Sequence, residues 1–256
     1  MRATLTVLGS GTSMGVPTIG CSCAVCTSTD PKDKRTRPSV LIQFAGRNVL
    51  IDTTPDFRTQ AIRERIDRLD AILYTHAHAD HILGLDDIRP LSYRHESKVP
   101  LYARGATADA IEQVFKYIFD ADYKFGGLAR VAMNRMNASV DLFGAKFEVV
   151  PVIHGETEID AFRFGSAAYL TDFSAIPESS MAKLERLDIL FLDALRYKPH
   201  PTHSSVEQSL AIVEQLKPKR TFFTHISHDL AHEATNAKLP PNVRLSYDGL
   251  KLEFEI

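Results

Sequence analysis

The chain has 256 residues, 44% of them apolar and 24% charged, with a formal net charge of −2. That is enough for one large domain with a well-packed core. The near-neutral balance argues against a whole-protein basic field for nucleic acid, though not against a local basic patch. No apolar run approaches the roughly 20 residues of a membrane span.

The chain opens on a strand over 3–8, "ATLTVL", followed by "GSGTSMG". No helix clearly follows those glycines, so they read as tight turns beside a site rather than as a phosphate cradle. This start does not resemble a secretory signal, which makes the cytoplasm the expected compartment. "GCSCAVC" then places Cys21, Cys23 and Cys26 together. An odd, tight cluster reads as metal-binding or catalytic rather than as a disulfide framework.

Strands follow at 39–44 and 48–52, joined by a hairpin loop in "FAGRNV", then a helix at 56–66 and a strand at 70–75. The last of these runs into "THAHADH", which holds His76, His78, Asp80 and His81. His76 and His78 are two apart, so in extended chain both imidazoles face one way. Asp80 and His81 follow as the chain turns. Two of these four ligand-type side chains cannot easily serve the same ion as the other two, which makes a pair of metals natural.

Arg89, in "GLDDIRPLS", is a candidate phosphate clamp because a guanidinium can grip two oxygens. A surface ion pair with Asp86 or Asp87 competes with that role. Further on come a strand at 99–102 and a helix at 107–119. The segment 123–140 reads as an irregular, basic connection, and the loops 85–98 and 123–140 are where specificity is expected. Strands at 146–153, 161–164, 167–171, 188–193 and 220–224 follow, with a helix at 179–186 and a last strand at 250–255. Directly after three of them stand His154, Asp172 and His225. Loops at strand ends are where α/β folds place chemistry. Asp52 and Asp193, also at strand ends, read as supports for ligands. The helix 205–216 shows a capping box, with Ser204 as N-cap and Glu207 at N3, and Pro218 ends it. His95 and His232 carry no assigned role.

"THAHADH" with His154, Asp172 and His225 resembles the metallo-β-lactamase superfamily over nearly the whole chain. The resemblance implies an α/β fold, a four-layered αββα sandwich, in a single domain spanning 1–256. It implies that His76, His78 and His154 hold one metal and that Asp80, His81 and His225 hold the other, with Asp172 bridging. "GCSCAVC" with "HISH" is similar to the branch that contains phosphoribosyl 1,2-cyclic phosphodiesterase. That branch implies a structural zinc on Cys21, Cys23, Cys26 and His228, and Cys₃His suits tetrahedral Zn²⁺. His203 resembles the general acid of phosphodiesterases in this superfamily, with His200 as the alternative donor or as a substrate contact. Its place beside a helix N-terminus would lower its pKa, which works against an acid role.

The expected function is therefore a dinuclear-metal-dependent phosphodiester hydrolase. It would act on a small, cyclic sugar- or nucleotide-phosphate diester by attack of a metal-bound hydroxide, with Asp80 in the catalytic set. Two active-site ions (Zn, Mn or Fe) and one structural Zn are implied. The partner is a small phosphate ester rather than a membrane or nucleic acid, and a homodimer is the candidate oligomeric state. Two alternatives stand beside it, a tRNA 3′-processing endonuclease and a non-catalytic small-molecule carrier of the same fold.

Overall fold

Strand alternation decides the layers of this molecule. In a strand, successive side chains point to opposite faces, so a run apolar at every position must be covered on both. β2 (Ser39–Phe44), β3 (Arg47–Ile51) and β4 (Ala71–Leu73) each contain such a run, over 40–42, 49–51 and 71–73. Ile42, Val49, Ile51 and Leu73 face one way, while Leu41, Leu50 and Ile72 face the other. The computed structural model describes residues 1–94, 97–123 and 126–256. His95 and parts of the loops 85–98 and 123–140 lie outside the described residues.

Among the described residues two seven-stranded sheets result. The first runs β14 (Lys251–Glu255), β1 (Arg2–Gly9), β2, β3, β4, β5 (Val99–Ala103), β6 (Val131–Arg135). The second runs β13 (Val243–Leu245), β12 (Arg220–Thr224), β11 (Ile189–Asp193), β10 (Ala167–Leu170), β9 (Thr157–Phe164), β8 (Ala145–His154), β7 (Ser139–Leu142). In the first sheet β3 to β6 are parallel, and in the second β10 to β13 are; the remaining neighbours are antiparallel.

The inner faces pack on each other. Leu5, Ile42 and Leu73 meet a core with Phe147, Phe162, Phe164 and Phe191. Truncating a fully buried ring such as Phe191 would cost about 3–5 kcal/mol. The outer face of the first sheet is covered by helices Phe57–Glu64 and Gly105–Val114, through Phe57, Ala108 and Ile111. Helix Val206–Leu216 covers the second sheet through Val206 and Val213. This is the αββα sandwich that the resemblance implied. No helix among the described residues is long and apolar enough to cross a membrane.

Several local expectations need correction. The helix cap lies one residue later: Ser205 accepts from Gln208 N–H, and the Gln208 side chain returns to Ser205 N–H. Ser204 is spent inward instead, on Ser209 Oγ at 2.7 Å. The segment 123–140 contains β6 and the start of β7. β6 is an edge strand with Asn134 and Arg135 exposed, so its apolar alternation is weak. The helix expected at 107–119 starts at Gly105 and breaks at Phe115, and a short helix, Lys116–Phe119, follows. The run at 179–186 is one short helix, Glu178–Met181, followed by a single 3₁₀ turn.

Candidate metal centres

The two sheets bring their strand ends to one edge of the sandwich. β3 delivers Asp52, β4 delivers the run from Thr75 to His81, and β8, β10 and β12 deliver His154, Asp172 and His225. Asp52, Asp172 and His225 all adopt positive φ, at 65°, 56° and 56°. That left-handed turn lifts each side chain off the strand direction, in a region that non-glycine residues rarely occupy.

Two groups of ligand-type atoms here share one residue, and a third, Asp193, His203 and His225, overlaps at His225. His76, His78, His154 and Asp172 make one, and Asp80, His81, Asp172 and His225 make the other. In the second group the His81 Nε2 lies 3.3 Å from both Asp80 Oδ2 and Asp172 Oδ1. The His225 Nε2 lies 3.1 Å from Asp172 Oδ2 and 3.6 Å from Asp80 Oδ2. A tetrahedral zinc with ligand bonds near 2.1 Å holds its donors about 3.4 Å apart, so these spacings fit such an ion. His76 Nε2 stands 3.9 Å from Asp172 Oδ2 and completes the link between the groups.

The decisive property is what these atoms lack. His76 Nε2, His81 Nε2, His225 Nε2 and Asp80 Oδ2 are buried without a hydrogen-bond partner. Buried polar groups are normally paired. Asp52, Asp80, Asp172 and Asp193 are all buried as well. Among the described residues no Lys or Arg pairs with any of the four, and their ion-pair partners are histidines alone. Burial raises the pKa of Asp52 and Asp193, while Asp80 and Asp172, kept ionised without a fixed cation, call for positive charge.

The protonation equilibria register the same demand. Burial opposes charge on His81, yet Asp172, Asp80 and Asp52 outweigh it and hold its pKa well above the usual value. Burial likewise opposes charge on His225, but Asp172 pushes it up to about 10. Burial would raise Asp172, but His225 and His81 hold it well below the carboxylate range. Asp80 is lowered against burial by His81 and His225. Burial lowers His76, His78 and His154, which favours the neutral, ligating form.

Further hydrogen bonds fix the rings. Asp52 accepts from Thr75 N–H at 2.9 Å, Thr75 O–H at 2.8 Å and His81 Nδ1–H at 2.7 Å. His81 therefore presents Nε2 to the cluster. His154 donates its Nδ1–H to Thr202 C=O at 2.8 Å. Sequence reasoning missed that carbonyl, since a backbone acceptor leaves no mark in side-chain pattern. Asp193 accepts from His203 Nδ1–H at 2.7 Å. The His203 ring stacks on His225, with centroids 4.5 Å apart and 12° between planes, and meets His154 edge-on at 4.8 Å. Burial and then the His225 charge bring the His203 pKa down to about 4. His200 lies outside it, 5.1 Å from His203.

Arg89 is placed elsewhere. It pairs with Asp86 and donates to Gly127 C=O at 2.9 Å. Among the described residues no hydrogen bond or ion pair joins it to the cluster, so the surface-pair reading describes its contacts and the clamp reading does not. A cavity of about 210 Å³ opens directly on His76, His78 and His154, between Thr107 and Glu158. It adjoins a second of about 450 Å³ that reaches Arg104 and Asn137.

A separate cluster joins the cysteine loop to the segment after β12. His228 Nδ1 lies 3.3, 3.6 and 3.4 Å from the Sγ atoms of Cys21, Cys23 and Cys26. A tetrahedral zinc with Zn–S near 2.3 Å and Zn–N near 2.1 Å spans about 3.6 Å from sulfur to nitrogen. Three thiols around one imidazole nitrogen at that spacing fit the ion, and all three cysteines are free of disulfides.

Comparison with known proteins gives consistent results. Residues 47–226 match the model of the β-lactamase superfamily domain. The fold superposes on a crystal structure of a diphosphatase from the PhnP family with a TM-score of 0.94, at 64% identity, covering 99% of this chain and 98% of that one. Octanoyltransferase of Porphyromonas gingivalis is 38% identical over 249 residues, 96% of this chain and 50% of that protein. Ribonuclease Z of Bradyrhizobium diazoefficiens is 30% identical over 142 residues, 54% of this chain and 47% of that protein. The chain thus spans about half the length of these two curated relatives.

Proposed function

The chain belongs to the β-lactamase superfamily and, within it, to the PhnP family, and from that premise we propose that it is a metal-dependent phosphodiester hydrolase acting on a small phosphate ester. The observation that carries this reading is the convergence of unpartnered, buried ligand atoms on two adjoining points. We read 1–256 as one domain and the cytoplasm as its compartment. The bond cleaved is the P–O bond of a disubstituted phosphate, either in a cyclic sugar or nucleotide phosphate or in a diphosphate. The 64%-identical diphosphatase supports the latter.

In this reading His76, His78, His154 and Asp172 hold one divalent ion and Asp80, His81, Asp172 and His225 the other. Zn²⁺ suits the imidazoles, and Mn²⁺ or Fe²⁺ suits the shared carboxylate. Cys21, Cys23, Cys26 and His228 hold a structural Zn²⁺. Ions held there would supply Lewis acidity, lowering the pKa of water and offsetting phosphoryl charge.

The remaining work falls to the chain. Asp193 fixes the tautomer and plane of His203, so that its Nε2 is the free nitrogen. That nitrogen is our proton donor to the departing oxygen, with His200 as the outer substrate contact. A pKa near 4 leaves His203 neutral in the free protein at pH 7. The negative charge of a bound phosphate favours the imidazolium, so protonation would accompany substrate binding.

A tRNA 3′-processing role is the second reading, supported by the likeness to ribonuclease Z. The net charge of −2 weighs against a polyanionic partner. Acyl transfer is not our reading. The chain matches half of the octanoyltransferase, and its thiols converge on His228 rather than on His203. The test is metal content plus rates on a 1,2-cyclic ribose phosphate, 2′,3′-cyclic nucleotides, a dinucleoside diphosphate, a chromogenic diester and precursor tRNA. Close to three ions per chain and turnover of a small ester are expected. A single ion after native purification, or cleavage of precursor tRNA alone, would overturn the reading.

A further inference from the structure

His225 and His228 belong to different clusters but to one turn. Between them lie Ile226 and Ser227, and both are anchored. Ile226 N–H donates to Ser10 C=O at 2.9 Å, and Ile226 C=O accepts from Thr12 N–H at 3.1 Å. Ser227 N–H donates to Leu195 C=O at 3.0 Å, and Leu195 N–H in turn donates to Ser204 C=O at 3.0 Å, beside His203.

The other side of the turn is held by a single side chain. Arg35 is 1% exposed. Its Nη1 donates to Ser227 C=O at 3.0 Å and its Nη2 to Leu230 C=O at 2.7 Å, so the two acceptors bracket His228. Its Nε donates to Lys32 C=O at 3.2 Å, and Asp33 Oδ1 faces Nη2 at 3.0 Å. The same Asp33 oxygen accepts from His232 N–H at 2.8 Å. The Arg35 backbone exchanges two hydrogen bonds with Val16, in the loop that leads to Cys21. One planar fork therefore ties the cysteine loop to the turn that carries a ligand of each cluster. Lysine, with one nitrogen on a flexible stem, cannot span both carbonyls in that plane.

We propose that the turn His225–His228 couples the two metal sites energetically, with Arg35 as its positioning residue. The proposal rests on the metal-ligand reading above. Filling the thiol site would hold His228 on the cysteines it already faces, which fixes the backbone from which His225 projects. Such coupling is reciprocal: each metal must raise the affinity for the other by the same factor.

The test uses cobalt(II), whose thiolate charge-transfer band reports the cysteine site and whose d–d bands report the His/Asp cluster. Affinities come from chelator competition on the full chain. In the wild-type protein, prior filling of the thiol site should tighten the His/Asp cluster at least fivefold, and the reverse order should give the same factor. Arg35→Met should weaken the thiol site at least tenfold and cancel most of that factor, and Arg35→Lys should not rescue it. Because Arg35→Met orphans a buried carboxylate, Asp33→Asn/Arg35→Met serves as the variant expected to fold. The carboxamide oxygen introduced by Asp33→Asn retains an acceptor for His232 N–H. Leu252→Ala, a core truncation in β14, controls for general destabilisation and should leave the factor intact. Equal affinities in either order of filling, an undiminished factor in the folded double variant, or the same loss in Leu252→Ala would overturn the coupling while leaving the metal assignment standing. Absence of both cobalt signatures would overturn the assignment and the coupling together.

Discussion

In the reading proposed above, the two clusters would hold a cation in opposite ways. The thiol cluster takes three donors from one short loop and a fourth from 228, and every donor is accounted for by one tetrahedron. The His/Asp cluster gathers seven side chains from strand ends across both sheets, shares Asp172 between its halves, and opens on a cavity. A closed donor set contributes folding energy and leaves no open position, whereas a shared, open one leaves room for a reacting group. The difference teaches where to look for chemistry: in the cluster whose ligands are distant in sequence and whose neighbours are themselves oriented by further carboxylates.

That contrast can be broken most sharply at Asp172. Asp172→Ala removes a donor from both halves of the open cluster, and we expect loss of at least one ion per chain and a fall in hydrolysis of about 10³-fold or more. Retained activity with full metal content would show that the carboxylate is not shared. Next comes His203→Ala, which should keep three ions and lower kcat by about 10²–10⁴-fold on a diester with a poor leaving group. A chromogenic diester, whose leaving group needs no proton, should suffer far less, and equal losses on both substrates would remove His203 from the donor role. Asp193→Asn should cost about 10–100-fold by freeing the His203 ring.

Acid separates the clusters by another route. Thiolates must shed protons to bind metal. Cys23 is brought down to about 7, chiefly by the Cys26 backbone N–H, while burial pushes Cys26 up. Asp80 and Asp172 stay ionised far below neutrality. Affinity of the thiol site should therefore fall with the slope of up to three thiol protons per pH unit below about pH 7, whereas the open cluster should fall with the shallower slope of two, those that His81 and His225 hold above neutrality. Parallel curves would erase the distinction. The smallest catalytic effect belongs to Cys23→Ser. It should release one zinc and lower Tm, but at saturating metal hydrolysis should drop less than tenfold.

The sequence made some of this legible and hid the rest, for physical reasons. "THAHADH" announces itself because four ligand-type residues in seven positions have no packing explanation, and His154, Asp172 and His225 are found by their common place after apolar strands. β2 and β12 come out at their full bounds because their apolar runs are dense and sharply ended. β6, β7 and β13 were invisible, being short edge or near-edge strands with exposed positions. The misplaced helix cap has a similar origin. Two adjacent serines offer equivalent hydroxyls, and only the tertiary position of Ser209 decides that Ser204 turns inward. Arg89 was attractive for its sequence position, but local pairing with Asp86 satisfies it first. Nothing in the string marked Arg35, because a buried arginine looks like any surface one until its carbonyl partners from 227 and 230 are folded against it.

The positive φ angles at Asp52, Asp172 and His225 also bear on how this protein can change. In a library randomised at those three codons, the backbone would act as a sieve before any metal is tested. Glycine and asparagine would pass it at low cost, while valine, isoleucine and threonine would be rejected as misfolded. Metal preference at these positions is therefore searchable only through a narrow set of side chains, and drift toward a new ion is more accessible at His76, His78 and His154, where φ is not positive.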